Sequence, residues 1–295
     1  MKIVTTGSLG NVANLVVKRL INAGHNITVI TSKSDRKAAI EAVGATAAVG
    51  SISDANFLTN TFKGSDAIFT MVPPSMGTTN MIENIANAGK AYVEAIQTTN
   101  VKRVVMLSSV GGDATEGTGP IQGVHRIEEA FKALNQVNIT VLRSGFFYTN
   151  FLRDIPEIKS KNVFGNNYKG DDRLLLTHPE YIATAIAQEL QLNGNGYEVK
   201  YVISDISTGN KAASILGQAI GKPELTWSQV PDDVLQQGLT AANVPSELIG
   251  LIVEMGQGVR TGIITQDFFE SGQKVSGQVK IEQFAKEFKD QYEQA

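Results

Sequence analysis

The chain has 295 residues, 42% of them hydrophobic and 19% charged, with a formal net charge of −3, so it is long enough to bury a sizeable core and is not basic enough to make nucleic acid its main partner. It contains no cysteine, which excludes disulfides and thiolate chemistry, and its three histidines, His25, His125 and His178, lack the spacing of metal ligands, so no metal is expected. No segment has the order of a signal peptide or approaches the roughly 20 apolar residues that span a bilayer, and a cytoplasmic protein without membrane contact is expected.

Residues 2–6 read as a strand and 11–23 as a helix, with Val12, Leu15, Val16, Leu20 and Ile21 at helical spacing and Gly24 as its stop. Residues 26–31 form a second strand, 35–43 a helix ended at Gly44, 45–49 a third strand and 54–62 a helix. A fourth strand over 66–72 is closed by Pro73 and Pro74, since proline removes a ladder donor and restricts the residue before it. A helix over about 78–97, a strand over 102–108, a helix over 122–135 and a strand over 139–143 follow. Such alternation calls for parallel strands with helices on both faces, and right-handed crossovers make a doubly wound α/β sheet the natural solution.

After this point the rhythm is lost. Residues 147–198 read as loops with one helix, 179–192, and a strand over 200–204 and a helix over 210–220 come next. Helices over 232–242 and 247–255 precede a last one over 281–292, which puts Phe284 and Phe288 on one face. The expected organisation is a doubly wound domain over 1–150 and a smaller C-terminal α/β lobe over 151–295, interleaved with the first and packed beside the open edge of its sheet.

Gly7-x-x-Gly10-x-x-Ala13 lies between the first strand and the first helix. Gly7 suits a tight turn, Gly10 lets the backbone approach a pyrophosphate, and Ala13 permits close helix–strand packing; the helix start then offers free N–H groups to the phosphates. This is the Rossmann signature of an NAD(P)-binding protein, with a plain glycine turn as the bland alternative. After strand two, where an acidic residue would bind an NAD ribose, the sequence runs Thr31-Ser32-Lys33-Ser34-Asp35-Arg36. Lys33 and Arg36 suit a 2′-phosphate with Ser32 adding a hydroxyl, which favours NADP(H) over NAD(H). The alternative is that both are solvated residues opening a helix.

With these residues placed, the chain resembles the NmrA-like branch of the atypical short-chain dehydrogenase/reductase superfamily over nearly its whole length. The resemblance rests on the runs from Ile3 to Gly10, from Asn100 to Ser109, from Ile139 to Asn150 and from Gly217 to Pro223. It is strongest toward NAD(P)H-dependent quinone oxidoreductases and azoreductase-like members. It implies a Rossmann domain (an NAD(P)-binding α/β fold), a small C-terminal lobe and a cleft between them. It also implies cofactor contacts at Gly7, Ser8, Leu9, Gly10, Asn11 and Val12, after strand two, at Met71, Val72, Pro73 and Pro74, and at Arg143, Ser144 and Gly145 through Phe147. Ser32 stands where many relatives carry an arginine, and Ser51 where they often carry an aspartate near the adenine.

The usual Tyr-x-x-x-Lys proton-donor pair of short-chain dehydrogenases does not occur in the sequence, and Val124 stands at the lysine's place. Ordinary alcohol dehydrogenation is therefore not expected. His125, on the helix after strand five, is the candidate proton donor; the bland reading bonds it to a neighbour such as Glu129. Ser108 or Ser109, at a carboxyl strand end, is a candidate contact to cofactor or substrate. Phe146, Phe147 and Asn150 can form a flat slot for a planar acceptor, with core packing as the alternative for either ring. The leading functional reading is an NAD(P)H-dependent oxidoreductase passing hydride to a quinone or similar small-molecule acceptor. The alternative is a dinucleotide-sensing regulator without turnover. A homodimer is an open possibility, and sugar-nucleotide epimerisation stands third because it wants the missing Tyr/Lys pair.

Overall fold

The computed structural model describes residues 1–73 and 79–295. Its first half alternates strand and helix: β1 (Lys2–Thr5), α1 (Ala13–Asn22), β2 (Asn26–Thr31), a 3₁₀ turn (Ser34–Arg36) running into α2 (Lys37–Ala42), β3 (Thr46–Val49), α3 (Ala55–Phe62) and β4 (Ala67–Thr70). Then come α4 (Met81–Thr99), β5 (Arg103–Ser109), α5 (Ile121–Lys132) and β6 (Asn138–Ser144). Local chemistry sets several boundaries. Asp54 caps α3 by accepting from the Phe57 N–H at 3.0 Å, and Gly24, at φ +83°, ends α1 in a left-handed turn. The expected start of the fourth helix at Thr78, and Pro74 before it, lie outside the described residues.

The main sheet is parallel and seven-stranded, in the order β10-β6-β5-β4-β1-β2-β3, with β10 (Tyr197–Val202) contributed by the second half. Strand alternation divides its side chains between two layers. Val4, Ile68 and Val104 face a core shared with α3, α4 and α5, while Ile3, Phe69 and Val105 face one shared with α1 and α7 (Pro179–Leu190). The doubly wound architecture read from the sequence is therefore the observed one. Strand order reverses between β1 and β4, which makes that crevice the switch point where such sheets take ligands.

Residues 147–198 hold more structure than loops and one helix. β7 (Phe146–Phe147) leads into a 3₁₀ segment (Tyr148–Asp154), α6 (Ile155–Lys161), β8 (Phe164–Asn166) and β9 (Arg173–Thr177). β9 joins β7 in parallel and β11 (Asp205–Thr208) in antiparallel, and β8 pairs with β12 (Trp227–Gln229). The remaining helices are α8 (Gly209–Ala219), α9 (Asp232–Ala241), α10 (Ser246–Thr261), α11 (Ile263–Glu270) and α12 (Ile281–Gln294). Tyr148, Phe151, Phe164, Phe284 and Phe288 form a core of their own, so the two aromatic residues expected on one face of the last helix are both buried. The expected helix over 247–255 is too short: α10 continues through Gly256 and Gly258 because both are close-contact positions. A Cβ on Gly256 would sit 1.6 Å from Asn167 Oδ1, and one on Gly258 2.4 Å from the Gly117 carbonyl. Among the described residues, no helix is long and apolar enough to cross a membrane.

Candidate cofactor and acceptor site

The glycine loop turns at Gly7 (φ +91°) and Ser8 (φ +54°), two successive left-handed residues between β1 and α1. A side chain at Gly7 would also collide with Met71, its Cβ falling 2.5 Å from Sδ. Ser8 is buried and its hydroxyl lies 3.4 Å from Thr31 Oγ1, which ties the loop to the end of β2. Gly10 and Asn11 are exposed, Leu9 is half-buried and Val12 is buried. Helix α1 begins with no side-chain cap and no acidic residue in its first turn, leaving its positive end open to an anion. Among the described residues, an added Cβ on Gly10 would meet only the Gly7 carbonyl, at 3.4 Å. The donor chemistry thus fits a dinucleotide pyrophosphate.

β1 and β4 are joined where the switch point opens. The Thr6 hydroxyl accepts from the Met71 N–H at 2.8 Å and lies 3.2 Å from the Met71 carbonyl, which also accepts from Tyr92 Oη at 3.0 Å. Burial raises the Tyr92 phenol well above its ordinary range, so it is a fixed donor. Met71 and Val72 are half-buried and Pro73 is exposed. Met71, Val72, Leu107 and Val124 line a narrow cleft at the carboxyl ends of β4 and β5, along with Thr70, whose buried hydroxyl has no partner among the described residues. Ser32, Lys33 and Arg36 stand exposed just after β2, and among the described residues neither basic group forms an ion pair.

The other expected contacts are engaged within the protein. Arg143 donates from Nε to Glu128 Oε1 at 3.1 Å and from Nη2 to Oε2 at 2.6 Å, while Nη1 reaches Asp267 at 2.6 Å, Tyr201 Oη at 3.2 Å and Asp113 at 3.5 Å. Burial works against the Arg143 charge, but the hydrogen bond to Glu128 and the surrounding carboxylates hold its pKa above the ordinary value. Ser108 donates to Glu128, and Ser144 donates to the Ser108 carbonyl at 3.1 Å. The Gly145 N–H donates to Thr177 Oγ1 at 3.0 Å, where a Cβ would lie 2.3 Å from the Leu175 carbonyl. Nothing in the sequence marked Glu128, Asp113 or Asp267. A lone buried arginine at a strand end is the signal that would have asked for such partners.

His125 is half-buried with Nδ1 2.9 Å from the Gly112 carbonyl, and Glu129 pairs instead with Lys132. Val124, its neighbour, is the residue that lines the Met71–Leu107 cleft. Phe146 and Phe147 are both half-buried but serve different cores. Phe146 packs with Phe151, ring centroids 5.1 Å apart, and Phe147 packs against the α1/α7 layer. Asn150 is half-buried one turn further on.

Comparison with known proteins bears on this arrangement. Residues 7–153 match the family model described as NAD(P)H-binding, and no curated protein matches the chain by sequence. The fold is similar to that of the NADPH-dependent quinone oxidoreductase of Escherichia coli solved with NADPH, at 19% identity and a TM-score of 0.80, covering 97% of this chain and 99% of that one. It is also similar to the triphenylmethane reductase of Citrobacter sp. solved with NADP(H), at 20% identity and a TM-score of 0.77 over 97% and 99% of the two chains. A nucleoside-diphosphate-sugar epimerase from Staphylococcus aureus shares the fold at 15% identity and a TM-score of 0.79, over 97% and 100%. These findings bear out the resemblance read from the sequence at the level of an NAD(P)H-binding domain and of the fold.

Proposed function

With residues 7–153 matching the NAD(P)H-binding family model, we propose that this protein is an NAD(P)H-dependent oxidoreductase that reduces a quinone or a similar conjugated small molecule. The observation that carries the reading is the split at Phe146 and Phe147. Successive rings join different cores, so the chain leaves the carboxyl end of β6 through an aromatic seam between the sheet and the second half. Such a seam suits a planar acceptor, with Asn150 to orient it.

The bound dinucleotide supplies the hydride, a chemistry that asks of the protein mainly binding, orientation and exclusion of water. Gly7, Ser8, Leu9, Gly10, Asn11 and Val12 would hold the pyrophosphate. Lys33 and Arg36 with Ser32 would hold a 2′-phosphate, so NADP(H) is favoured over NAD(H). Met71 and Val72, with Leu107 and Val124, give the cleft an apolar wall, and exposed Pro73 follows as a further candidate cofactor contact. Arg143 and Ser108 act by positioning, because their donors are already taken up by Glu128 and its neighbours; Ser144 and Gly145 fix the β6 end in the same way. Neutral His125 donates its Nδ1–H in a hydrogen bond to the Gly112 carbonyl, leaving Nε2 as an acceptor. It can therefore release a proton only as the imidazolium.

The test is steady-state NADPH oxidation against a panel of quinones, azo dyes, triphenylmethane dyes and enones. Turnover of at least one acceptor is expected. Tight NADPH binding with no turnover of any would instead favour a dinucleotide sensor.

A further inference from the structure

Two carboxylates compete for one nitrogen of Arg143. Nη1 lies 2.6 Å from Asp267 on α11 and 3.5 Å from Asp113, which belongs to the loop after β5. The rest of the guanidinium is committed to Glu128. That loop, residues 110–120, is glycine-rich and lies against α10 and α11 with almost no clearance. A Cβ on Gly111 would come 3.2 Å from Ile264 Cα, and one on Gly119 2.2 Å from the Leu251 carbonyl. Glu254 adds a polar pin, accepting from the Gly117 N–H at 2.9 Å and from Gln122 Nε2 at 3.0 Å. The same loop carries Gly112, whose carbonyl holds His125, and the Gly112 N–H turns back onto the Ser109 carbonyl at 3.0 Å.

We infer that Asp267 is a positioning residue: by holding Arg143 Nη1 at 2.6 Å it keeps Asp113 at its longer 3.5 Å contact and so fixes the post-β5 loop that carries Gly112 and orients His125. Without the Asp267 charge, the nearest anion able to complete Arg143 Nη1 is Asp113. The Asp113 side chain is 33% exposed and sits on the loop itself, so closer pairing would draw the loop inward and displace the Gly112 carbonyl from His125. The two carboxylates sense each other. Burial raises Asp113 above the usual carboxylate range and the Asp267 charge pushes it the same way, against a backbone hydrogen bond and the Arg143 and His125 charges. The catalytic consequence rests on the reductase reading above; the structural one does not.

The experiment uses the full chain as wild type, Asp267→Asn, Asp267→Glu and the double variant Asp267→Asn/Asp113→Asn. Amide hydrogen exchange over residues 110–120 is measured beside acceptor kinetics and NADPH affinity. Asp267→Asn is expected to speed exchange in this loop about tenfold and to lower kcat/KM about tenfold with NADPH affinity unchanged, since small misplacements cost at least this much. Asp267→Glu should restore much of both. Adding Asp113→Asn should also restore loop protection, because it removes the competitor. Exchange that is unchanged in Asp267→Asn, or that rises further when Asp113→Asn is added, overturns the inference. If the wild type reduces no acceptor, the reductase reading fails, and the exchange comparison still decides the role of Asp267.

Discussion

Glu128 holds Arg143 through two hydrogen bonds, at 3.1 and 2.6 Å, and the side chains are 1% and 5% exposed. The pair joins α5 to β6 beneath the loop that follows β5. Because both charges are out of water, each is costly without the other. Removing one partner of such a pair destabilises by about 3–5 kcal/mol. Glu128→Ala should lower the denaturation midpoint accordingly, whereas the double change Glu128→Leu/Arg143→Met should recover much of the loss. Chemical denaturation monitored by circular dichroism checks both.

The 2′-phosphate assignment predicts a selective loss. Lys33→Ala/Arg36→Ala removes two charge-assisted bonds of about 1.5–3 kcal/mol each. NADPH affinity, measured by fluorescence titration, should fall steeply while NADH affinity barely moves. A parallel fall for both would remove these residues from the site. Both side chains are exposed, so misfolding is not the expected outcome.

The aromatic seam separates two neighbouring rings. Phe147→Ala should raise KM for a quinone and leave NADPH binding intact. Phe146→Ala, which takes a ring out of the second core, should cost stability first, and truncating a core Phe costs about 3–5 kcal/mol when fully buried. His125→Ala should lower kcat if protonation limits turnover, within the roughly 10²–10⁴-fold range of general acid catalysis. Kinetics that do not change in Phe147→Ala would place the acceptor elsewhere.

How far the sequence disclosed this molecule depends on how local each cause is. The strands up to β6 were legible because each apolar run is followed by its own helix, the first two ended by Gly24 and Gly44. β8 and β9 were not, because residues such as Phe164 and Arg173 become strand only by pairing with Trp227 and Thr208 far along the chain. The expected helix over 247–255 stopped just before Gly256 and Gly258; the reason these positions are glycine lies in Asn167 and Gly117. Of the proposed site, the glycine loop and the basic residues after β2 were each visible as a short contiguous run. The ring of Glu128, Asp113 and Asp267 around Arg143 was not, since its members are brought together only by the fold.

Acid–base behaviour gives an independent check on the second half. Burial pushes the carboxyl of half-buried Asp154 up to about 7, with Arg153 opposing and Glu157 adding to the rise. A carboxyl raised in the folded state favours folding below its unfolded pKa, and that contribution is lost as pH rises through the folded value. Stability should therefore decline between about pH 4, the unperturbed range for Asp, and about pH 7. Asp154→Asn should flatten that slope and leave the protein more stable than wild type near neutrality. Melting temperatures across this interval decide it.

The most direct test of the account compares NADPH oxidation by the wild type and Gly10→Val with the same quinone. The structure leaves room for the first carbon of a side chain at Gly10, so the variant should fold, while the added bulk blocks the approach of a pyrophosphate. The predicted result is turnover by the wild type and none above background by a folded Gly10→Val. Equal turnover by the two proteins, or a wild type that binds NADPH yet never oxidises it, would contradict the account.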